Sequence, residues 1–304
     1  TFQLTKMMPR GATVYSKKEK VHEKNNRQVI PRHIAFHPAA GQSHKNNYDI
    51  RVVIFRHAER IDHLLGSDWY QKVFNGVPSA PAAAYQNSSL PQRLPPRQET
   101  FLYIMDPPIS RNGEQQAVNK GYQLAQIGVS ADYCYSSPAS RSILTANGIL
   151  KGMNRSQVPI RLDPYLFEPI AWNSALSMLD RRSPFMSKHD WQHAGYNIDR
   201  NYQYLENLIN AKETVSDYGD RSAKFFDRII QHHDRNLSRT PRRQITILLV
   251  AHASSTEMFS TIALGKPFDA NFLTEQTKKV PYLHTAVLER DATTHQWSIR
   301  AHLP

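Results

Sequence analysis

The sequence predicts an α/β fold, with a mostly parallel central sheet that carries helices on both faces. Segments 51–55 and 245–250 are rich in β-branched, aliphatic and aromatic residues, as expected of strands that are buried on both sides. Such segments alternate with amphipathic stretches of helical period, and no internal repeat is visible. Helices on both faces of one sheet would bury these strands economically.

The strand at 51–55 precedes a long irregular stretch. Residues 61–108 are rich in proline and predict a long insertion, which opens with a short helix over 61–74. A helix follows Ser110, a favourable N-cap residue, and ends near Gly128. The next predicted elements are a strand over 131–136, a helix opened by Ser137 and Pro138, and a strand over 159–162.

The C-terminal half resumes this alternation after a second irregular stretch. Residues 170–215 are aromatic-rich and weakly patterned, which predicts an insertion outside the core. The most apolar strand, 245–250, is followed closely by His252. The remaining predicted elements are a helix over 219–233, a helix over 254–264 closed by Gly265, and strands over 285–289 and 296–301.

The chain has 304 residues, and we expect residues 51–304 to form one domain around the two insertions. The formal net charge is +12, and residues 1–50 contribute half of it, with nine Lys and Arg against three Asp and Glu. These residues have few periodic apolar positions and predict a flexible basic arm. Aromatic residues are not interleaved with the lysines of this arm, so we expect no nucleic acid partner. The other half of the net positive charge, beyond residue 50, suits a pocket for an anion.

Several other classes of protein are disfavoured. The sequence has no run of about 18 apolar residues, so a membrane span is not expected. The single cysteine, Cys134, excludes an intramolecular disulfide and a cysteine zinc site, which fits a reducing, cytoplasmic location. His189 and His193 approximate a zinc-binding helix, but Asp190 stands where a metalloprotease has Glu and no third ligand stands out, so we expect neither a metal nor a cofactor.

Six polar side chains follow predicted strands or lie near helix starts. They are Arg56, His57, Arg60, Arg141, Glu168 and His252. In an open α/β sheet, ligands bind at the carboxyl ends of the strands. Guanidinium groups pair with phosphate oxygens, a neutral imidazole can attack phosphorus, and a carboxylic acid can protonate a leaving oxygen. Each residue alone fits a structural or surface role, but the set predicts phosphoryl transfer.

Several motifs resemble those of the histidine phosphatase, or phosphoglycerate-mutase-like, superfamily. The sequence Phe55-Arg-His-Ala-Glu-Arg60 resembles its Arg-His-Gly-Glu-Arg signature. The stretches 135–141 and 250–255 resemble its second arginine motif and its second histidine motif. The stretches 60–62, 166–168 and 279–283 are similar to one branch, which contains the suppressor-of-T-cell-receptor-signalling proteins, also called ubiquitin-associated and SH3 domain-containing proteins, and ecdysteroid-phosphate phosphatase.

This resemblance implies a phosphoglycerate-mutase-like fold and a role for each candidate residue. It implies that His57 is the nucleophile, that Glu168 is the acid and that His252 completes the pocket. It further implies a homodimer, and a phosphate clamp made of Arg56, Arg60 and Arg141.

Two residues leave questions open. Glu59 competes with Glu168 as the acid, although alternation along the strand would turn its side chain away from His57. Ala58 stands where the family pattern has glycine. Its methyl group would harm the site if the backbone needed a positive φ or a close approach to phosphate, and otherwise it is harmless.

The sequence therefore predicts a metal-independent phosphomonoester hydrolase that works through a phosphohistidine at His57. The insertions near 61–108 and 170–215 carry aromatic residues that favour a bulky leaving group, so the expected substrate is phosphotyrosine in a protein or an aromatic or steroid phosphate. Two alternatives remain open. One is a phosphomutase, and the other is a catalytically weak or inactive regulatory protein that binds phosphate.

Overall fold

The strands form one six-stranded sheet in a computed structural model, which describes residues 47–74, 89–92, 94, 97, 99, 102–172, 183–204, 212–237 and 244–300. They are β1 (Tyr48–Arg56), β2 (Tyr133–Ser136), β3 (Ile160–Leu162), β4 (Ile245–Ala251), β5 (Thr285–Asp291) and β6 (Trp297–Arg300). The order across the sheet is β3-β2-β4-β1-β5-β6. The first four strands in this order are parallel, whereas β5 and β6 each run antiparallel to their neighbours. The predicted α/β class is confirmed.

Along the chain, the helices among the described residues lie between successive strands from β1 to β5. They are α1 (Ile61–Leu65), α2 (Trp69–Phe74), α3 (Leu102–Met105), α4 (Arg111–Gln126), α5 (Ser140–Gly152), α6 (Lys188–His193), α7 (Val215–Leu237), α8 (Ala253–Ala263) and α9 (Ala270–Thr277). Two 3₁₀ turns, Pro164–Leu166 and Ile170–Trp172, follow β3. None of these described helices is long and apolar enough to cross a bilayer.

The central strand β4 is buried along its whole length and separates two hydrophobic clusters. Leu248 packs in one cluster with Ile149 of α5. Leu249, which points to the opposite face, packs in the other with Phe225 of α7 and Phe259 of α8. Helices therefore cover both faces, and this explains why the strand is apolar at every position instead of alternating.

Three predicted boundaries differ from the structure for local reasons. The helix over 61–74 is interrupted at Gly66, whose φ of 93° ends α1. The helix after β2 begins at Ser140, because Ala139 is still extended with ψ 134°. Helix α7 is longer than expected at both ends, and α9, which Asp269 caps, was not predicted.

The expectation that residues 170–215 lie outside the core is wrong for part of that segment. Trp191 of α6 is fully buried and packs, with Tyr196 and Ile198, in the cluster that contains Leu248. Ile198 also forms a bridge with Ile160 at the start of β3. The aromatic residues lack a helical period because they come from a short helix and the turn after it. The predicted arm up to residue 46 and the stretches 75–88, 173–182 and 205–211 lie outside the described residues.

Helices α4 and α5 pack with their backbones in close contact. A Cβ atom on Gly121 would lie 2.1 Å from the carbonyl oxygen of Ile149, and one on Gly152 would lie 1.9 Å from that of Val118. Only glycine permits this approach. The contact fixes α5, whose first turn carries Arg141, against α4.

Substitution of Gly121 by alanine tests this contact. Alanine favours a helix by about 1 kcal/mol over glycine, but the clash should dominate and lower the free energy of unfolding by about 1–3 kcal/mol. Chemical denaturation measures the change. The matched control is Gln123→Ala at an exposed position of the same helix, which should alter stability by less than about 0.5 kcal/mol. A Gly121→Ala variant as stable as the native chain would show that the helices tolerate the methyl group.

Candidate active site

The six candidate residues converge at the carboxyl ends of β1, β2 and β4, which are neighbours in the sheet. His57 directly follows β1 and His252 directly follows β4. Arg141 lies in the first turn of α5, and Glu168 follows the first 3₁₀ turn after β3. Because parallel strands end at the same edge, residues that are far apart in the chain form one pocket there.

His57 is a buried, neutral imidazole with one nitrogen already occupied. Its Nδ1 lies 2.9 Å from the carbonyl oxygen of Ala58. A carbonyl oxygen can only accept, so the proton is on Nδ1 and the lone pair is on Nε2. Burial and the positive charge of Arg141 place the pKa of His57 well below its ordinary value. A neutral imidazole with a free Nε2 lone pair is a nucleophile at neutral pH.

His252 is fully buried next to His57, with the two ring centroids 5.6 Å apart in an edge-to-face arrangement. Its Nε2 lies 2.9 Å from Ser137 Oγ, and its Nδ1 lies 3.4 Å from Arg141 Nη2 and 3.7 Å from Glu168 Oε2. A guanidinium can only donate, so Nδ1 carries the lone pair and Nε2–H donates to Ser137. Burial and the charge of Arg141 place the pKa of His252 well below its ordinary value.

Arg141 links the second histidine to the candidate acid. Its side chain is 2% exposed, and Nη2 donates to Glu168 Oε1 at 2.6 Å. Its Nε has no hydrogen-bond partner among the described residues. A buried donor without a partner costs about 1–3 kcal/mol, so an anionic ligand accepted by this nitrogen would recover that energy.

Arg56 and Arg60 are each held by a residue that is not among the six candidates. Arg56 donates from Nη1 to the carbonyl oxygen of Val280, and its Nε also lacks a partner within the described part of the chain. Arg60 pairs with both carboxylate oxygens of Asp62, from Nε at 2.9 Å and from Nη2 at 2.6 Å. Both charges lie near enough to lower the pKa of His57, after the larger effects of burial and Arg141.

Two networks that the sequence did not reveal hold the site in place. Asp106, fully buried, accepts from the backbone N–H of Ser140 at 2.8 Å, which caps α5, and also pairs with Arg97. Arg221 of α7 donates to the backbone carbonyls of Phe167 and Glu168 at 2.8 and 3.0 Å. No strand end or motif marks these residues, because they act from the predicted insertion and from a helix interior.

Ser137 and Tyr282 were also missed as site residues. Ser137 follows β2 at the same sheet edge, so its position was a usable signal. Tyr282 lies 5.8 Å from the His57 ring and 4.4 Å from the Arg56 guanidinium, measured from its ring centroid. Tyr282 lies in the stretch 279–283, which is similar to the family branch, but the resemblance assigned no role to that stretch.

Ala58 fits its position without strain. The described non-glycine residues with positive φ are Asn154, Leu283 and His295, so the alanine backbone does not need glycine. Its N–H donates to Thr145 Oγ1 at 2.9 Å, and its methyl group is fully buried in the hydrophobic cluster. The methyl group would harm the site if the backbone needed a positive φ. This condition is not met at Ala58.

Glu59 lies apart from the pocket. Its carboxylate accepts from Ser110 Oγ at 2.6 Å and from Asn112 Nδ2 at 3.3 Å, at the start of α4. Strand alternation is not the cause, since β1 ends at Arg56. The N-terminus of α4 holds this carboxylate, as helix dipoles and N-terminal donors favour.

Neither Cys134 nor the histidine pair of α6 is part of the site. Cys134 is fully buried within β2, and burial raises the pKa of its thiol to about 12. A thiol in that environment is a poor nucleophile. His189 and His193 have their Nε2 atoms 3.0 Å apart on the exposed face of α6, and no group of three or more potential metal ligands occurs among the residues described.

Comparison with known proteins finds one family model and several relatives that match this chain. The model of the histidine phosphatase superfamily (branch 1) matches residues 95–300, which include Arg141, Glu168 and His252, whereas His57 precedes the match. Human ubiquitin-associated and SH3 domain-containing protein B is 28% identical over 251 residues, 82% of this chain and 37% of that protein. Ecdysteroid-phosphate phosphatase of Bombyx mori is 30% identical over 172 residues, 56% of this chain and 24% of that protein. The chain thus spans well under half the length of these curated relatives.

A solved structure supports the fold. The crystal structure of the ecdysone phosphate phosphatase from Bombyx mori, in complex with tungstate, has a TM-score of 0.68 to this chain and covers 83% of it. The alignment covers 92% of that structure at 23% sequence identity. The sheet and its helices therefore match the phosphoglycerate-mutase-like architecture that the sequence predicted.

The depressed histidine pKa values predict how stability depends on pH. The unfolded chain, with histidines near pKa 6.5, binds more protons than the folded chain, so the free energy of unfolding should fall as pH drops from 7 to 5.5. Each histidine contributes a slope of up to about 1.4 kcal/mol per pH unit. Urea denaturation across this range measures the slope.

The pH dependence of the free energy of unfolding is compared between the native chain and three variants. His57→Asn and His252→Asn should each flatten the slope, and Gln123→Ala, which changes an exposed residue of α4 that does not titrate, should leave it unchanged. Equal slopes in all four proteins would mean that the two site histidines titrate alike in the folded and unfolded chains.

Proposed function

The chain belongs to the histidine phosphatase superfamily (branch 1), and on that premise we propose that it hydrolyses phosphomonoesters through a phosphohistidine at His57. The observation that carries the proposal is the 2.9 Å hydrogen bond from His57 Nδ1 to the Ala58 carbonyl. It directs the lone pair to Nε2 of a buried imidazole beside three arginines. An activated nucleophile and an anion-binding pocket are what transfer of a phosphoryl group requires.

The first step would transfer the phosphoryl group to the enzyme. Nε2 of His57 attacks phosphorus, a P–N bond forms, and the P–O bond to the leaving group breaks. Glu168, in its protonated form once phosphate has displaced it from Arg141, donates a proton to the leaving oxygen, which departs as an alcohol or phenol. Arg56, Arg60 and Arg141 would hold the phosphoryl oxygens, and the unpaired Nε atoms of Arg56 and Arg141 are donors suited to that role.

The second step would return His57 to its starting state. Water attacks the phosphorus of phosphohistidine, the Glu168 carboxylate takes its proton, and the P–N bond breaks to release inorganic phosphate. His252 would contribute from Nδ1, the nitrogen that faces Arg141 and Glu168. A bound phosphoryl dianion would favour a proton on this nitrogen by its negative charge. The imidazolium formed in this way would donate to an oxygen that gains charge in the transition state. No step in this scheme needs a metal or a cofactor.

Two contacts and the exposure of its side chain support Glu168 as the acid. Its Oε1 is 2.6 Å from Arg141, and its Oε2 is 3.7 Å from His252, so the carboxyl group borders both. Its side chain remains 20% exposed, whereas that of Arg141 is 2% exposed. A bound phosphate would compete for Arg141 and free Glu168 to approach the leaving oxygen.

We propose a bulky aromatic or steroid phosphate, or phosphotyrosine in a protein, as the substrate. Phe167 packs edge-on against His252 with ring centroids 5.1 Å apart, and Phe185 packs against Phe167 at 5.0 Å. Phe185 is partly exposed, so these packed aromatic rings lead from His252 to the protein surface. Similarity to a protein named for ecdysteroid phosphate agrees with such a leaving group. The homodimer implied by the resemblance and the cytoplasmic location expected from the single cysteine stay predictions, which ultracentrifugation and cell imaging would measure.

The proposed activity is tested with an aryl phosphate in excess chelator. The native chain should release inorganic phosphate without added metal, and His57→Ala should reduce kcat by at least about a thousandfold, because the nucleophile is lost. A phosphate-release assay with phosphotyrosine peptide, steroid phosphate and phosphoglycerate then ranks the substrates.

The control is Cys134→Ser, which removes the chain's single thiol but should retain turnover. Transfer of the phosphoryl group to a second hydroxyl, dependent on a bisphosphate primer and without net release of inorganic phosphate, would indicate a mutase. Phosphate binding without turnover would indicate a regulatory binding protein, and either result would overturn the proposed hydrolysis.

The role of Glu168 is tested by Glu168→Gln. Glutamine keeps the shape of the side chain but cannot donate a carboxyl proton, so kcat for an alkyl phosphate should fall about 10²–10⁴-fold. An aryl phosphate, whose leaving group needs less protonation, should be affected much less. The two substrates are compared at saturation in the same variant. Equal losses for both would mean that Glu168 does not act as the acid.

A further inference from the structure

Tyr282 lies between two of the arginines of the phosphate pocket. The guanidinium carbon of Arg56 is 4.4 Å from its ring centroid, within the range of a cation–π contact. Its hydroxyl group is 2.6 Å from Nδ1 of His63. His63 belongs to α1, and Arg60 is the residue immediately before that helix. Tyr282 therefore contacts the Arg56 side chain at one end and the helix that follows Arg60 at the other.

The backbone around Tyr282 is fastened to the end of β1. The N–H of Arg56 donates to the carbonyl of His284 at 3.1 Å, and the Arg56 side chain donates to the carbonyl of Val280. Leu283 has a φ of 56°, an unfavourable conformation for leucine, and its N–H donates to the carbonyl of His57. Such strain persists when surrounding contacts determine the conformation. Here the strained residue directly follows Tyr282.

The ring of Tyr282 restricts a side chain that would otherwise be flexible. An arginine has several rotatable bonds, and holding it in one geometry costs conformational entropy. The Tyr282 ring and the Val280 carbonyl together fix the guanidinium of Arg56. The Nε of Arg56 has no hydrogen-bond partner among the described residues. A donor that is preorganised in this way binds an oxyanion without first paying to become ordered.

We propose that Tyr282 is a positioning residue, which holds Arg56 directly and the start of α1 through His63 in the geometry that binds phosphate. The inference rests on the proposed function of the pocket as a phosphate site. A positioning role predicts that anion affinity and turnover change together for every substrate, because the phosphate is common to all of them.

The experiment measures oxyanion affinity in the full chain. In Tyr282→Leu, which lacks the ring, the Kd for tungstate and for inorganic phosphate by calorimetry should rise about three- to tenfold. The value of kcat/KM should fall by a similar factor for aryl and alkyl phosphates alike. Tyr282→Phe keeps the ring and should restore anion affinity to within about twofold. His63→Ala removes the same hydrogen bond and should match Tyr282→Phe.

The control is Tyr122→Leu, a tyrosine that is 58% exposed on α4, which should change neither affinity nor turnover. If Tyr282→Leu is not folded, as judged by thermal unfolding, Tyr282→Met replaces it. Unchanged anion affinity in the ringless variant would overturn the proposal. A loss confined to aryl phosphates would also overturn it, since Tyr282 would then be a contact for the leaving group. Because calorimetry needs no turnover, a chain that binds anions but hydrolyses nothing would refute the proposed function and leave this test intact.

Discussion

The site depends on the parallel pairing of β1 with β4. In this register Phe55 lies opposite Val250 and Arg56 opposite Ala251, so the two strands end at the same level. The N–H of His57 donates to the carbonyl of Ala251 at 3.0 Å, which carries the pairing one residue beyond β1. A shift by one residue would turn every side chain to the other face and separate the imidazoles. The two faces have different packing partners, with Ile149 against Leu248 and Phe225 against Leu249, and this packing opposes the shift.

Burial makes the histidines reactive, and it requires compensation for the arginines around them. A buried charge is stable only with partners, and each arginine has one: Val280 for Arg56, Asp62 for Arg60 and Glu168 for Arg141. These partners hold the guanidinium groups in place when no ligand is bound. Since the carboxylate of Glu168 is also the proposed acid, binding of phosphate to Arg141 and release of Glu168 would be coupled events.

Much of the fold could be predicted because apolar strand segments and helix caps are signals that lie within a few consecutive residues. The apolar strands 51–55 and 245–250 and the cap at Ser110 gave the central elements, and the strand ends marked the histidines. The core role of Trp191 was missed, because a short helix and a turn produce no periodic pattern. Asp106, Arg221 and Tyr282 were missed as supports of the site for a different reason. They act through contacts between distant segments, and a single sequence carries no sign of such contacts.

The central claim is that His57 becomes covalently phosphorylated during turnover. It is tested most directly by quenching the reaction with base within milliseconds of mixing the chain with labelled aryl phosphate, and then locating the phosphoryl group by mass spectrometry of the peptides. The account predicts an adduct on the peptide that contains His57, stable in base, lost in acid and absent from His57→Ala. Turnover without an adduct at His57, or with the phosphoryl group on another residue, would contradict it.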